Sequence, residues 1–249
     1  MSYLLFHTLF ILPPILLLWI TLPRRLHELG GRRAQVALPL ISVVALSYTA
    51  AWDNYLVSRA IWWYGSDRVL GTIGAVPVEE YLFFVLQPVL TGLVLFHYLL
   101  RNGEPSRSEG GLPAWIGFLT FAAVTGLGVA LLVSEAEEGL YMGLILSWAS
   151  PLLAGMWLYD GETLWAYRRP LLYTVGLSTV YLWGADATAI AEGIWTISST
   201  YTLGVELVNL PIEEATFFLV TNLLVVQGLL LLLYGSHVAL EPSGSDRQV

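Results

Sequence analysis

Two reactive residue types are missing from this chain altogether. There is no cysteine, so disulfides, thiolate nucleophiles and thiolate metal sites are excluded, and cysteine usage says nothing about redox compartment. There is no lysine either; all 11 basic residues are arginine. Every mechanism that runs through a lysine Schiff base is excluded with it, including that of a seven-helix protein holding retinal on a lysine. Charge of either sign is scarce: 12% of the 249 residues are charged and 56% are hydrophobic, whereas a typical soluble domain carries about 25% charged residues. That leaves too little polar surface to coat a water-soluble globule. The formal net charge of −8 argues against nucleic acid as a partner, because phosphate contacts need basic clusters. GxGxxG, P-loop, nucleophile-elbow and DDxxD motifs are all missing. His7, His27, His97 and His237 lack metal-ligand spacing, so no metal site is expected.

What the chain does have is apolar blocks long enough to cross a hydrocarbon core, which takes about 20 residues each. The first runs from Tyr3 to Thr21 and lacks a basic leader and a cleavage site, so it reads as a retained helix and not a signal peptide. Further helices are predicted at 36–58, 77–100, 113–133, 140–159, 170–190 and 211–234. The longest loop is Arg101–Gly111, and the tail from Glu241 is polar. Arg24, Arg25, Arg32, Arg33, Arg101, Arg107, Arg168, Arg169 and Arg247 fall on one side of this arrangement, with only Arg59 and Arg68 on the other. The excess of basic residues on cytoplasmic loops then predicts the N-terminus outside and the C-terminus inside.

The chain also repeats itself. Trp52-Asp53, Ile61-Trp62, Leu70-Gly71, Pro77-Val78-Glu79-Glu80 and Phe83-Phe84 are followed by Asp186, Ile194-Trp195, Leu203-Gly204, Pro211-Ile212-Glu213-Glu214 and Phe217-Phe218. The offset is 133 up to the Leu-Gly pair (62 to 195) and 134 from the proline onward (77 to 211). Equivalent helices lie four apart, an even number, so both halves point the same way about an axis along the membrane normal. The expected fold is an all-α membrane protein of about seven transmembrane helices, two parallel three-helix repeats joined by a connector helix. The units are 1–100, a loop plus connector at 101–139, the second repeat at 140–235, and a tail at 236–249.

The acidic motifs carry the chemistry. Proline at a helix start loses nothing by lacking an N–H, and glutamates in the first turn suit the helix dipole. A single such glutamate in a soluble protein is often only a cap. Here the motif opens an apolar helix, where ionisable groups are costly and usually functional. It holds one carboxyl more than a cap needs, and it occurs twice. Glu79 and Glu80 stand about 100° apart around the helix, with Phe83 and Phe84 four residues on, and the same holds for Glu213 and Glu214 with Phe217 and Phe218. Acid/base catalysis needs one protonated and one ionised carboxyl, and neighbouring acids in an apolar setting can be separated that way. Asp53 and Asp186 are the other intramembrane acids, with Asn54 beside the first; they read as cross-helix hydrogen bonders or as partners of the glutamates. Trp52, Trp62, Trp63, Trp183 and Trp195 fit an interfacial belt or a lining whose π faces stabilise a carbocation.

The paired Pro-x-Glu-Glu-x-x-Phe-Phe motifs resemble those of the membrane-embedded lycopene cyclases, in the tandem fusion found in archaea. The resemblance covers about residues 1–235 and is strongest over Trp52–Phe84 and Asp186–Phe218. The second copy departs from the first in having Gly184-Ala185 where a counterpart of Trp52-Asp53-Asn54 is expected. The resemblance implies that linear ψ ends of lycopene are closed to β-ionone rings, giving γ-carotene and then β-carotene. A proton added to C1=C2 leaves a tertiary cation, C5=C6 closes the ring, and a base removes the C6 proton. No electrons are exchanged, so no cofactor is expected. Glu79, Glu80, Glu213 and Glu214 form the expected acid/base set. Asp53, Asn54, Asp186, Trp52, Trp62, Trp195, Phe83, Phe84, Phe217 and Phe218 are expected around substrate. Lycopene and membrane lipid are the expected partners, alongside other carotenoid-pathway membrane enzymes. Three rivals stand beside this reading: a C50 carotenoid cyclase, a proton-coupled transporter, and a protein that binds carotenoid without converting it. Few polar residues are expected between the acids and the far ends of helices three and seven, which disfavours the transporter.

Overall fold

The computed structural model describes residues 1–23, 29, 32–103 and 113–235. His27, His237, Arg24, Arg25, Arg107, Arg247, most of the longest loop and the C-terminal tail lie outside the described residues. Among the described residues there are seven long helices: α1 (Tyr3–Thr21), α2 (Arg32–Ser58), α3 (Val78–Asn102), α4 (Ala114–Val133), α5 (Leu140–Ala166), α6 (Arg168–Ala191) and α7 (Ile212–Tyr234). Six of them are long and apolar enough to cross a membrane, consistent with an all-α membrane protein. α6 is not among those six. It carries Arg168 and Arg169 at its start and turns Thr174, Ser178, Thr179 and Asp186 inward, where all four are buried.

Local chemistry explains the helix ends and irregularities. Pro77 and Pro211 occupy the N-cap positions of α3 and α7 in extended conformation, as a residue with fixed φ and no N–H favours. Gly103, at φ 73°, ends α3 in a region that only glycine enters freely. α1 contains a π turn at His7–Ile11, just ahead of Pro13 and Pro14. A proline cannot donate to the carbonyl four residues back, so Pro14 leaves the Phe10 carbonyl free, and the Tyr181 hydroxyl donates to it at 2.5 Å. α5 breaks at Asp160 (φ −158°, ψ 65°), at the predicted end of this helix, and a short helical piece follows the kink up to Ala166.

α3 and α7 form the centre. α3 packs on α1, α2, α6 and α7, and α7 packs on α2, α3, α5 and α6. α4 lies outside this group, packed on α5.

The helices are joined on one side by short strands that an all-helical reading leaves out. β1 (Trp62–Tyr64) pairs antiparallel with β4 (Trp195–Ile197), Trp63 opposite Thr196. β2 (Thr72–Ile73) pairs with β3 (Val76–Pro77), and β5 (Glu206–Leu207) with β6 (Leu210–Pro211). These two hairpins deliver the chain into α3 and α7. The segments that lead from β1 to β2 and from β4 to β5 also serve the free N–H groups of other helix starts: Tyr3 N donates to the Arg68 carbonyl at 2.8 Å and Tyr141 N to the Tyr201 carbonyl at 3.1 Å.

Candidate active site

The two glutamates of each motif part company within one step of the helix. Glu79 turns back to the loop, where its Oε1 accepts from Leu70 N at 2.8 Å. Glu213 does the same with Leu203 N at 2.8 Å. Both are buried, and each fastens the Leu-Gly segment of its hairpin to the helix start. About 100° further round the helix, Glu80 and Glu214 face a common cavity. Asp53 from α2 and Asp186 from α6 complete a set of four carboxyls around it.

The walls are aromatic. Trp62, Trp195, Phe83, Phe217 and Phe218 line the space, with Phe83 edge-on to Phe218 at 6.1 Å. The remaining room is about 40 Å³, enough for one or two water molecules. Among the described residues, no group of three or more His, Asp or Glu is arranged to hold a metal ion.

Three tyrosines that the motif pattern does not signal serve the acids. Tyr3 donates to Glu80 Oε2 at 2.6 Å and Tyr64 to the same oxygen at 3.1 Å. Tyr141 donates to Glu214 Oε1 at 2.6 Å. Burial, reinforced by the nearby Glu80 and Asp53 carboxyls, pushes the Tyr64 phenol well above its ordinary value, so it keeps its proton and acts as a donor. Trp62 Nε1 donates to the Tyr64 hydroxyl at 3.3 Å, whereas Trp195 Nε1 donates directly to Asp186 Oδ1 at 2.9 Å. One oxygen of each aspartate, Oδ2, has no partner among the described residues. The available signal for Tyr3 and Tyr141 was their place in the first turn of the first helix of each half.

Of the fourteen residues expected in the acid/base set or around substrate, Asp53, Asp186, Glu80, Glu214, Trp62, Trp195, Phe83, Phe217 and Phe218 come together at the cavity. Five do not line it. Glu79 and Glu213 hold the loops. Asn54 Oδ1 accepts from Ala75 N at 2.9 Å and its Nδ2 donates to the Tyr81 hydroxyl at 2.7 Å, which pins the first hairpin. Trp52 stacks behind the wall, 5.7 Å from Phe217 and 4.5 Å from Trp148. Phe84 lines a neighbouring cleft. The four-residue pairing of Glu80 with Phe84 is therefore corrected: at the cavity Glu80 is grouped with Phe83, because three residues of α-helix bring side chains to one face as well as four do.

The expectation of few polar groups further along α3 and α7 is also corrected. Gln87 Nε2 and Thr91 Oγ1 each donate to Asn222 Oδ1 at 2.7 Å, and Asn222 Nδ2 donates to Thr179 Oγ1 at 3.0 Å. This buried knot ties α3, α6 and α7 together. Its members satisfy one another, as polar groups in an apolar interior must.

A family model described as lycopene cyclase matches residues 1–99 and 138–232. A lycopene beta-cyclase from Halobacterium salinarum is 40% identical over 234 residues, spanning 92% of this chain and 95% of that protein. A bifunctional lycopene cyclase/phytoene synthase from Arthroderma gypseum is 36% identical over 248 residues, 92% of this chain but 41% of that protein. The corresponding protein of Colletotrichum graminicola is 37% identical over 202 residues, 76% of this chain and 34% of that protein. No solved structure matches the chain.

Proposed function

The chain belongs to the lycopene cyclase family, and on that premise we propose that it converts ψ ends of lycopene to β-ionone rings at the cavity shared by Glu80 and Glu214. The observation that carries this is the convergence of the second glutamate of both motifs on one aromatic-walled space. The reaction needs an acid, a base, a dry chamber and a lining that tolerates a carbocation.

Glu214 is the proton donor and Glu80 the acceptor. Two phenol O–H groups point at one oxygen of Glu80, a set of partners that suits an ionised, acceptor-only carboxylate. Glu214 has one such donor. Its proton goes to C2 of the terminal double bond, leaving the cation at C1. The C5=C6 electron pair forms the C1–C6 bond and moves the charge to C5. Glu80 takes the C6 proton and the C5=C6 bond is restored. No atoms or electrons are consumed, and the proton returns to Glu214 across the cavity, past Asp53 and Asp186. The faces of Trp62, Trp195 and Phe217 stabilise the cation, each contact being worth about 2 kcal/mol once water is gone. With one set of acids, one ψ end reacts at a time, so γ-carotene precedes β-carotene.

The two halves, 1–100 and 140–235, are read as parallel three-helix repeats about a pseudo-two-fold axis, with α4 in the connector at 101–139. The packing supports this: exchanging α1, α2 and α3 for α5, α6 and α7 turns each helix contact of α3 into one that α7 makes. The β1–β4 ladder, centred on Trp63 and Thr196, lies where the axis would pass. With the N-terminus outside, the acids lie toward the outer face of a cell membrane that the chain crosses several times, and Arg101, Arg168 and Arg169 lie toward the cytoplasm. Lipid then surrounds the helices.

The test is the pigment formed when the chain is expressed in a bacterium that accumulates lycopene, resolved by chromatography. γ-Carotene and β-carotene are expected. Unchanged lycopene with the protein present in the membrane overturns the reading.

A further inference from the structure

A second, larger cleft of about 250 Å³ adjoins the acid cavity. It lies between α2 and α5, on a floor made by α3 and α7. Phe83 and Phe217 belong to both spaces. Its lining is nearly all apolar, with Ile41, Val44 and Ala45 on one side and Leu152 and Met156 on the other. Val44 is 52% exposed and Leu152 41%, so the cleft opens sideways, toward lipid and away from the loops. At its rim the Tyr48 hydroxyl donates to the Trp148 carbonyl at 2.8 Å. From there Tyr48, Trp148, Trp52 and Phe217 stack in succession, at 5.0, 4.5 and 5.7 Å, toward the acid chamber.

The opposite face, between α1 and α6, is built differently. Positions 133 further on from Ile41, Ala45 and Thr49 are Thr174, Ser178 and Leu182, all buried to 2% exposure or less. There the Tyr181 hydroxyl bridges to the Phe10 carbonyl.

We propose that the α2–α5 cleft is the subsite for the conjugated polyene of the carotenoid, which slides in from the lipid and delivers its ψ end past Phe83 and Phe217 to the four carboxyls. This rests on the cyclase reading above. The occupant is specified by continuity: whatever fills the cleft touches the two rings that wall the acid chamber. A chain that must place one end among carboxyls and leave the rest among lipid tails has to be long, apolar and unbranched enough to lie in a side-opening slot. Stacked aromatic faces suit a flat conjugated chain over a flexible acyl tail.

The experiment uses the full chain in nanodiscs with lycopene, in the wild type, in Ala45→Trp, which fills the cleft, and in Val43→Trp, which adds the same bulk on the neighbouring lipid-facing surface. Bound lycopene and the rate of conversion at limiting lycopene are both measured. Ala45→Trp is expected to lower both at least tenfold, and Val43→Trp to leave both within twofold. A folded Ala45→Trp protein that binds and converts lycopene like the wild type overturns the proposal. A photo-crosslinking amino acid in place of Leu152 decides the matter if Ala45→Trp does not fold. Attachment to the carotenoid supports the subsite; attachment to phospholipid alone overturns it. If the variant with the crosslinker at position 152 attaches to lycopene while the wild type leaves lycopene linear, the reaction is overturned and the subsite upheld, so the two failures are told apart.

Discussion

The first and second motifs share a frame and differ in what they turn toward the cavity. In each, the leading glutamate accepts from a loop N–H at 2.8 Å. In each, a tyrosine from the start of α1 or α5 donates to the second glutamate at 2.6 Å. Even the docking of the hairpins is the same contact made from opposite ends. Asn54 on α2 reaches the β2–β3 turn at Ala75, and Asn209 in the β5–β6 turn reaches the Ala187 carbonyl on α6 at 2.7 Å. The difference sits at Tyr64 and Ile197, 133 residues apart. Tyr64 gives Glu80 a second hydroxyl donor. Ile197 gives Glu214 none, and the Trp195 N–H goes to Asp186 instead. Backbone contacts common to both halves set where the acids stand, and one side chain sets how many donors each receives. A near-symmetric scaffold can in this way hold two carboxyls of opposite role.

The strongest way to break the comparison is to remove the two glutamates proposed to react. Glu80→Gln and Glu214→Gln are each expected to lower lycopene conversion by roughly 10²–10⁴-fold, the range for a lost general acid or base. Two independent sites would leave about half the activity in each variant, which product analysis of the two membranes would reveal at once. A smaller effect sharpens the asymmetry. Tyr141→Phe removes the phenol donor of Glu214 and is expected to cost roughly tenfold, in keeping with a hydrogen bond to a charged or proton-transferring group. Tyr3→Phe should cost less, since Glu80 retains Tyr64, and equal losses measured in initial rates would contradict the unequal donor count. Glu79→Gln and Glu213→Gln test the shared frame. Their amide oxygens still accept from Leu70 and Leu203, so activity should stay within a few-fold of wild type, against the collapse at Glu80. The smallest effect concerns the turns. Gly74 takes φ 67° in the first hairpin, and Val208 takes φ 67° in the second, where a β-branched residue is strained by about 1–2 kcal/mol. Val208→Gly should relieve part of that, on the order of 1 kcal/mol, visible as a small rise in melting temperature with unchanged turnover.

Much of this molecule was legible before its structure. The seven helices lie within a few residues of their expected positions, with α5 kinking at Asp160 next to its expected end; for the six apolar ones the reason is that a run of about 20 apolar residues has few other uses. The doubled motif pointed to the acids for a similar reason: carboxyls are too costly in such helices to be incidental. The strands at Trp62–Tyr64 and Trp195–Ile197 were not legible, since three residues carry no periodicity and pair with a segment more than a hundred residues away. Nor were Tyr3, Tyr64 and Tyr141, whose hydroxyls reach the glutamates only once distant helix starts meet.

Sequence alone determined the helical spans, the internal repetition and the identity of the acids, because these follow from hydrophobic length, register and the cost of buried charge. Only the tertiary structure decided which glutamate of each pair faces the cavity. Adjacent residues on a helix differ by about 100°, and nothing local says which direction leads to a loop N–H and which to a chamber. The same holds for the cleft between α2 and α5: its walls come from four helices, and its openness depends on side chains that meet only when those helices pack.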